Sequence, residues 1–231
     1  MSIAVERIQA ICFDVDGTLR DTDDQWVARV SGLLRPLGFM FPGRRTEAAA
    51  RRAVMLIEDP GNLALYLADR AGLDNLAAAA LSRLRARLAR RRRLGLPPVP
   101  PPGIIPGVDE MLARLQGRFP LAIVSARGEH ATRLFLDGNR LTPFFAAIAT
   151  GQTTRYTKPF PDPLLWAASQ LGVPPSACLM VGDTTVDIRA GRAAGAQTVG
   201  VLCGFGERSE LLRAGADALL LSTADLPALF E

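Results

Sequence analysis

Residues 8–18 read IQAICFDVDGT, an apolar run that ends in two aspartates and a glycine. The apolar run predicts a buried strand, and Asp14 and Asp16 follow at its carboxyl end. Side chains alternate along a strand, but Gly17 permits a tight turn here, which would let both carboxylates converge on one point. Taken alone, the triplet is equally consistent with two acids that cap a loop.

A second apolar run, LMVGDTTVD at residues 179–187, also ends in glycine and acid. Asp183 and Asp187 stand four residues apart near the predicted start of a helix, so they are expected on one helix face. That arrangement suits N-capping of the helix, and it also suits the binding of a hard cation. The sequence leaves both interpretations open.

Lys158, in TKPFPDP at residues 157–163, is the only lysine among the 27 basic residues of the chain. A coding bias toward arginine explains the shortage of lysine. Retention of lysine at this one position indicates a compact ammonium group that the planar fork of arginine does not replace.

Ser125 ends a third apolar run, LAIVSAR at residues 121–127, and Gly128 and a predicted helix follow it. Its hydroxyl is suited to cap that helix. Together with the adjacent backbone N–H of Ala126, it is equally suited to bind a phosphate at the helix N-terminus.

The order of these features, acid pair, hydroxyl, lysine and acid pair, resembles the haloacid dehalogenase superfamily of phosphotransferases. The resemblance spans nearly the whole chain, and within the superfamily it is closest to the phosphoglycolate phosphatase-like branch with a helical cap. Residues 204–217, GFGERSELLRAGAD, are similar to the tail of that branch. We interpret this tail as a sign of ancestry more than of chemistry, because its glycine loop and Ala-Gly-Ala-Asp turn also simply connect the last elements.

The resemblance implies a phosphomonoester hydrolase that works through an aspartyl-phosphate. Asp14 would be the nucleophile, and Asp16 would protonate the leaving alkoxide and then accept a proton from the hydrolytic water. The transferring phosphoryl oxygens would be bound by Ser125, Ala126 and Lys158, and the lysine is counted among the catalytic residues.

The resemblance also implies a Mg²⁺ cofactor, because an anionic nucleophile and a phosphate approach each other only with a cation between them. The expected metal-binding residues are Asp14, Asp16 through its backbone carbonyl, Asp183 and Asp187. Thr18 is expected to orient the first loop. The candidates for contact with the leaving group are Arg20, Asp21, Arg44, Arg45 and Arg127.

The fold class predicted is α/β, a Rossmann-like parallel sheet core with helices on both faces plus an inserted all-helical cap domain. Strand signals recur at residues 8–14, 120–125, 146–149, 177–182, 197–202 and 217–221. We expect the catalytic core to comprise residues 1–19 and 103–231. Residues 20–102 read as the helical cap, and the proline-rich stretch at 97–103 is its return linker.

The composition, with 48% hydrophobic residues in 231, is that of a globular protein with a buried core. No apolar run approaches the roughly 18 residues that span a bilayer, and no signal-type segment opens the chain, so we expect a cytoplasmic protein without membrane partners. The net charge is +4, and many of the basic residues are arginines in the segment 83–93. Leucines run beside them without aromatic residues for base stacking, which favours a solvated helix face over nucleic-acid binding.

Alternative activities differ in the residues that they need. A dehalogenase would not need Asp16 or the metal-binding acids, and a phosphonatase would need a cap lysine, which the sequence lacks. A sugar-phosphate mutase is the runner-up, although its Thr-His-Arg type cap segment is not found. A non-catalytic phospho-ligand-binding protein is the third possibility. The expected partner is a small phosphate ester, with phosphoglycolate the best guess beside nucleotide or sugar phosphates, and the oligomeric state is not readable.

Overall fold

The computed structural model describes residues 3–21 and 103–231, and six parallel strands form one sheet in this part of the chain. The strand order is β3-β2-β1-β4-β5-β6. The strands are β1 (Ala10–Phe13), β2 (Leu121–Val124), β3 (Ala147–Ala149), β4 (Cys178–Gly182), β5 (Gln197–Val201) and β6 (Ala218–Leu220). All six lie where the apolar runs predict them, and the parallel α/β fold is confirmed.

Helices connect the strands. The α-helices of the described residues are α1 (Val108–Gln116), α2 (Glu129–Gly138), α3 (Asp162–Leu171), α4 (Thr185–Ala193) and α5 (Arg208–Ala214). Short 3-10 helices lie at Val5–Arg7, Thr142–Phe144, Pro175–Ala177 and Thr223–Phe230. None of the helices in the described ranges is long and apolar enough to cross a membrane.

The sheet is buried on both faces because helices cover each of them. Along β1, Ile11 and Phe13 belong to a cluster with apolar residues of α1 and α2, whereas Ala10 and Cys12 pack in a second cluster with α3. This alternation follows from the two-residue period of a strand. A continuous apolar strand such as β1 is typical of a sheet with helices on both sides.

The strand order reverses at β1, because β2 lies on one side of it and β4 on the other. In an open α/β sheet, such a reversal typically forms a crevice at the carboxyl ends of the two strands. Such a switch point is the usual ligand site of an open α/β sheet. The carboxyl ends of β1 and β4 carry the two predicted acid pairs.

The chain leaves and re-enters the described core at one place. Arg20 and Ile104 form an antiparallel bridge, and the backbone N–H of Asp21 donates to the carbonyl oxygen of Gly103 at 3.0 Å. The predicted cap, the arginine-rich stretch at 83–93 and the candidates Arg44 and Arg45 lie outside the described residues. The division into a core at 1–19 and 103–231 and a helical cap at 20–102 stays a prediction.

Candidate active site

Asp14 lies one residue beyond β1 and is held by the sheet. Its backbone N–H donates to the carbonyl oxygen of Val181 at 3.0 Å, which extends the pairing of β1 with β4. The chain then turns at Gly17, whose φ of +78° is favourable only for glycine. A Cβ at Gly17 would also lie 2.3 Å from the Oδ2 atom of Asp183, so the turn brings the two loops into contact.

Lys158 lies between two carboxylates. Its Nζ atom donates to Oδ1 of Asp14 at 2.6 Å and to Oδ1 of Asp187 at 2.5 Å, and all three side chains are buried. Burial lowers the pKa of Lys158, but the Asp14 and Asp187 carboxylates together outweigh that effect and raise it, so the ammonium stays charged. The lone lysine is therefore the cation of a buried acidic cluster.

The carboxyl group of Asp14 has a strongly raised pKa. Burial raises its pKa to about 8, the Lys158 ammonium opposes this shift, and the negative charges of Asp187 and Asp16 add to it. The metal-free site therefore favours a protonated Asp14 near neutral pH. A second cation beside this carboxyl would favour its ionised form.

Asp183 is fully buried and accepts hydrogen bonds from two different loops. The hydroxyl of Thr18 donates to its Oδ1 atom at 3.1 Å, and the backbone N–H of Phe205 donates to its Oδ2 atom at 2.7 Å. Thr18 thus contacts a predicted metal-binding acid directly, beyond the general orienting role expected from the sequence.

The carboxylates of Asp14, Asp183 and Asp187 form one cluster, with ligand oxygens within 4.8 Å of one another. When all three are ionised, the ammonium of Lys158 offsets one of the three negative charges in this buried space. Oxygen donors of this charge and density suit a hard divalent cation. The donor set therefore fits the Mg²⁺ that the sequence resemblance implies, although the choice among divalent ions stays a proposal.

Asp187 has the capping role that the sequence left open and also lies in the acidic cluster, where metal binding stays a prediction. Its Oδ2 atom accepts from the backbone N–H and the hydroxyl of Thr184 at 3.0 and 2.7 Å, in a capping box for α4, while Oδ1 contacts Lys158. Asp183 lies before the helix, because Thr184 is an extended N-cap residue. The expectation that both acids share one helix face is wrong, yet the turn at Thr184 still brings both to the cluster.

Asp16 has different partners from Asp14. Its Oδ1 atom accepts from Arg20 at 2.8 Å and from Arg127 at 2.6 Å, and the side chain is 22% exposed. Burial raises the pKa of Asp16, and the positive charges of Arg127 and Lys158 oppose the shift without cancelling it. The two acids of the first motif therefore have different partners, since arginines contact Asp16 on the more exposed side of the site, while the charge of Asp16 still raises the pKa of Asp14.

Ser125 lies beyond β2 in the loop before α2. That helix begins at Glu129 with Gly128 as its N-cap residue, so Ser125 does not cap it. Its Oγ atom accepts from the backbone N–H of Arg127 at 3.2 Å, which leaves the hydroxyl proton available to another acceptor. Ala126 stands in the same loop rather than at the helix N-terminus where the sequence placed it.

Sequence reasoning missed the loop after β5. Phe205 bonds to Asp183, and a Cβ added at Gly204 would lie 2.2 Å from the Oδ2 atom of that acid. The interpretation of this glycine loop as a mere connection is therefore incomplete. The repeated glycines of Gly204-Phe205-Gly206 were the available signal, since they allow a backbone to approach a buried side chain.

Comparisons with known proteins show the family to which this chain belongs. The model of haloacid dehalogenase-like hydrolases matches residues 8–195. A phosphoglycolate phosphatase of Xanthomonas campestris is 32% identical over 200 residues, which cover 85% of this chain and 84% of the relative. The phosphoglycolate phosphatase of Neisseria meningitidis is 29% identical over 248 residues, which cover 100% of this chain and 96% of the relative.

Solved structures share the fold. A haloacid dehalogenase-like hydrolase of Bacteroides fragilis has a TM-score of 0.69 at 22% identity, and the alignment covers 95% of this chain and 99% of that protein. A protein of Bacteroides vulgatus assigned as a β-phosphoglucomutase has a TM-score of 0.65 at 23% identity, with coverages of 96% and 87%. At these identities the structures show the fold alone. Given the sheet, the site and the relatives together, the chain belongs to the haloacid dehalogenase-like hydrolase family and is a phosphatase.

Proposed function

We propose that the chain is a Mg²⁺-dependent hydrolase of small phosphomonoesters that works through an aspartyl-phosphate on Asp14, with phosphoglycolate as its best substrate. One observation carries the proposal. Three buried carboxylates and one buried ammonium meet at the carboxyl ends of β1 and β4, the switch point of the sheet. Clustering of perturbed ionisable groups at such a crevice is typical of an active site.

Asp14 is the nucleophile of the proposed reaction. Its carboxylate oxygen forms a bond to phosphorus while the bond from phosphorus to the ester oxygen breaks, and the electron pair of that bond leaves with the alkoxide. Attachment to the end of β1 and the hydrogen bond to Val181 fix the position of Asp14. Such fixation favours attack in line with the leaving group.

Asp16 is the proposed acid and base. It gives its proton to the leaving alkoxide, and then takes a proton from the water that attacks the aspartyl-phosphate, which restores Asp14 and releases phosphate. Burial already raises the pKa of Asp16, which favours a carboxyl able to hold a proton in the first step. Its position on the outer side of the cluster suits contact with the leaving group.

Three groups of the chain bind the phosphoryl oxygens in this proposal. The Lys158 ammonium supplies positive charge, and the Ser125 hydroxyl and the Ala126 backbone N–H donate hydrogen bonds. The carboxylates of Asp14, Asp183 and Asp187 and the carbonyl of Asp16 would hold Mg²⁺. Bound there, the ion would offset the repulsion between an anionic nucleophile and an anionic substrate.

Two observations support a substrate with a carboxylate in its leaving group. The guanidinium groups of Arg20 and Arg127 lie beside Asp16, on the proposed leaving-group side. Planar guanidinium forks match carboxylates in two-bond geometry. The curated relatives named above are phosphoglycolate phosphatases, and phosphoglycolate carries such a carboxylate.

The test is phosphate release from a panel of phosphomonoesters, with Mg²⁺ or EDTA, by wild type and Asp14→Asn. We expect Mg²⁺-dependent release that is fastest for phosphoglycolate and falls by about four to six orders of magnitude in the variant, as for other catalytic nucleophiles. Asp109→Asn, at an exposed position of α1, is the matched control and should behave as wild type.

Two results would contradict the proposal. Equal release by wild type and Asp14→Asn would exclude Asp14 as the nucleophile. No release by folded wild type from any ester would instead favour the sugar-phosphate mutase or the non-catalytic phospho-ligand-binding protein that the sequence left as alternatives.

A further inference from the structure

Thr223 is a buried polar residue that the proposed reaction does not use. It is the first residue of the 3-10 helix Thr223–Phe230, and its hydroxyl donates to the carbonyl oxygen of Thr18 at 2.6 Å. Both threonines are fully buried. Thr223 lies beyond residues 8–195, the range that the family model matches, yet it contacts the loop of the nucleophile.

Thr18 links this contact to the acidic cluster. While its carbonyl accepts from Thr223, its hydroxyl donates to Oδ1 of Asp183 at 3.1 Å. The neighbouring Gly17 packs so closely on Asp183 that a Cβ would not fit. A displacement of the Thr18 backbone would therefore move the surface on which the Asp183 carboxylate rests.

The loop after β5 contacts the same loop and the same acid. Cys203 places its Sγ atom 3.6 Å from the carbonyl oxygen of Gly17 and 3.5 Å from the hydroxyl of Thr223, and the Phe205 N–H bonds to Asp183. Two separate parts of the chain after residue 195 thus fix one metal-binding acid.

The helix that carries Thr223 is itself firmly placed. Leu226 and Phe230 are buried in the cluster that contains α1, and Ser222 and Asp225 form a capping box at its start. Its backbone position is therefore set by apolar packing and by its own cap, so Thr223 can act as a fixed reference for the loop at Gly17 and Thr18.

We propose that Thr223 is a positioning residue for the metal site, which acts through Thr18 to orient the carboxylate of Asp183. The C-terminal 3-10 helix then contributes to the affinity for the divalent ion without touching it. This inference rests on the proposed function, because it assumes that Asp183 holds Mg²⁺.

The experiment compares Thr223→Val, which removes the hydroxyl at nearly constant shape, with Thr223→Ser, which keeps it. Thr198→Val is the matched structural control, because Thr198 is also fully buried and donates to Asp217 at 3.0 Å from a position on β5. The midpoint of thermal unfolding is measured without substrate, in EDTA and over a titration of Mg²⁺, and yields an apparent Kd for the ion.

We expect Thr223→Val to raise the apparent Kd for Mg²⁺ about five- to tenfold, the usual scale of one hydrogen bond. Thr223→Ser should stay within about twofold of wild type on the same scale. Thr198→Val should lower the unfolding midpoint in EDTA and leave the Kd unchanged. Thr223→Cys, with a weaker donor, provides an intermediate variant that remains measurable where Thr223→Val folds poorly; it is kept under reducing conditions, because its thiol would lie beside that of Cys203.

The outcomes separate this inference from the proposed function. One outcome is that Mg²⁺ stabilises wild type, Thr223→Val and Thr223→Cys with the same apparent Kd. That result would overturn the role of Thr223 and leave the proposed function intact. Failure of Mg²⁺ to stabilise wild type at any concentration would overturn the metal site and the inference with it.

Discussion

The site has two parts that are built from similar ion pairs and differ in burial. In the inner part, Lys158 contacts Asp14 and Asp187 at 2.6 and 2.5 Å, and its side chain is 4% exposed. In the outer part, Arg20 and Arg127 contact Asp16 at 2.8 and 2.6 Å with side chains 14% and 24% exposed. The distances are alike, so distance alone does not tell what each contact contributes.

The difference lies in what happens when one partner is removed. An uncompensated charge in the dry inner part has little access to water, and breaking such a buried pair typically costs about 3–5 kcal/mol. The outer part is only partly buried, so water can reach the remaining charge, and the contribution of each pair should lie closer to the roughly 1 kcal/mol of surface pairs. Chemistry that needs fixed groups suits the inner part, whereas contacts that change with the substrate suit the outer part.

The largest expected effect concerns Asp16, the proposed acid and base, which lies in the outer part. Asp16→Asn should lower turnover of alkyl phosphates about 10²- to 10⁴-fold, because an amide neither protonates the alkoxide nor accepts a proton from water. With p-nitrophenyl phosphate, whose leaving group needs no proton, we expect a burst of one equivalent of p-nitrophenolate followed by slow release. Stopped-flow absorbance measures both phases. A loss without a burst would mean that Asp16 is needed to form the aspartyl-phosphate itself.

The next effect is the stability of the inner part. Lys158→Met should lower the free energy of unfolding in EDTA by about 3–5 kcal/mol, because the buried acidic groups of Asp14 and Asp187 lose the ammonium that both contact. Mg²⁺ should restore part of this loss, since it supplies positive charge to the same cluster. Lys158→Arg should also be less stable than wild type, because the guanidinium is larger than the ammonium and planar. Urea unfolding compares both variants with wild type, and a loss below about 1 kcal/mol in Lys158→Met would contradict the distinction between the two parts.

The matching change in the outer part should be small. Arg127→Gln is expected to change the free energy of unfolding by less than about 1 kcal/mol, because Arg20 still contacts Asp16 and water reaches the site. Urea unfolding under the conditions used for Lys158→Met makes the comparison direct. An equal loss in the two variants would mean that burial does not separate the two parts.

The smallest effect is a pH dependence of metal binding. The pKa of Asp14 is raised to about 8 in the folded protein, above its usual value near 4, so the metal-free fold loses stability as pH rises between these values. Mg²⁺ binding must displace this proton. We therefore expect Mg²⁺ to raise the midpoint of thermal unfolding more at pH 8.5 than at pH 6.5, by about a few degrees. An equal rise at both pH values would contradict a protonated Asp14 in the metal-free state.

The sequence predicts the sheet well because its physical signal is local. The first four strands are apolar runs followed directly by an acid or a hydroxyl residue, and such a run needs only its own residues to be recognised. Membership of the acidic cluster could be predicted for a related reason at four positions, Asp14, Lys158, Asp183 and Asp187. Each is a charged residue at the end of an apolar run or at an isolated position, where a purely structural role is less common.

The contacts that hold these acids were not predictable in the same way. Phe205 contributes a backbone N–H, and every residue except proline has one, so the side chain carries no sign of the role. Thr223 contributes a common hydroxyl from more than two hundred positions along the chain, and only the packing of the last helix brings it to Thr18. The partners of Asp16 were named by proximity, but their shared contact depends on side-chain directions that the fold decides.

The adjacency of Asp21 and Gly103 has a consequence for how the gene can vary. Because the two ends are already joined by a hydrogen bond, the core need not stretch to accommodate whatever lies between them. Each doubling of the length of the intervening segment adds only about 0.6 kcal/mol to the free-energy cost of closing the loop. Recombination at the two gene junctions, after Asp21 and before Gly103, can therefore replace residues 22–102 by a segment of another length while the strand ends that carry the acids stay in register.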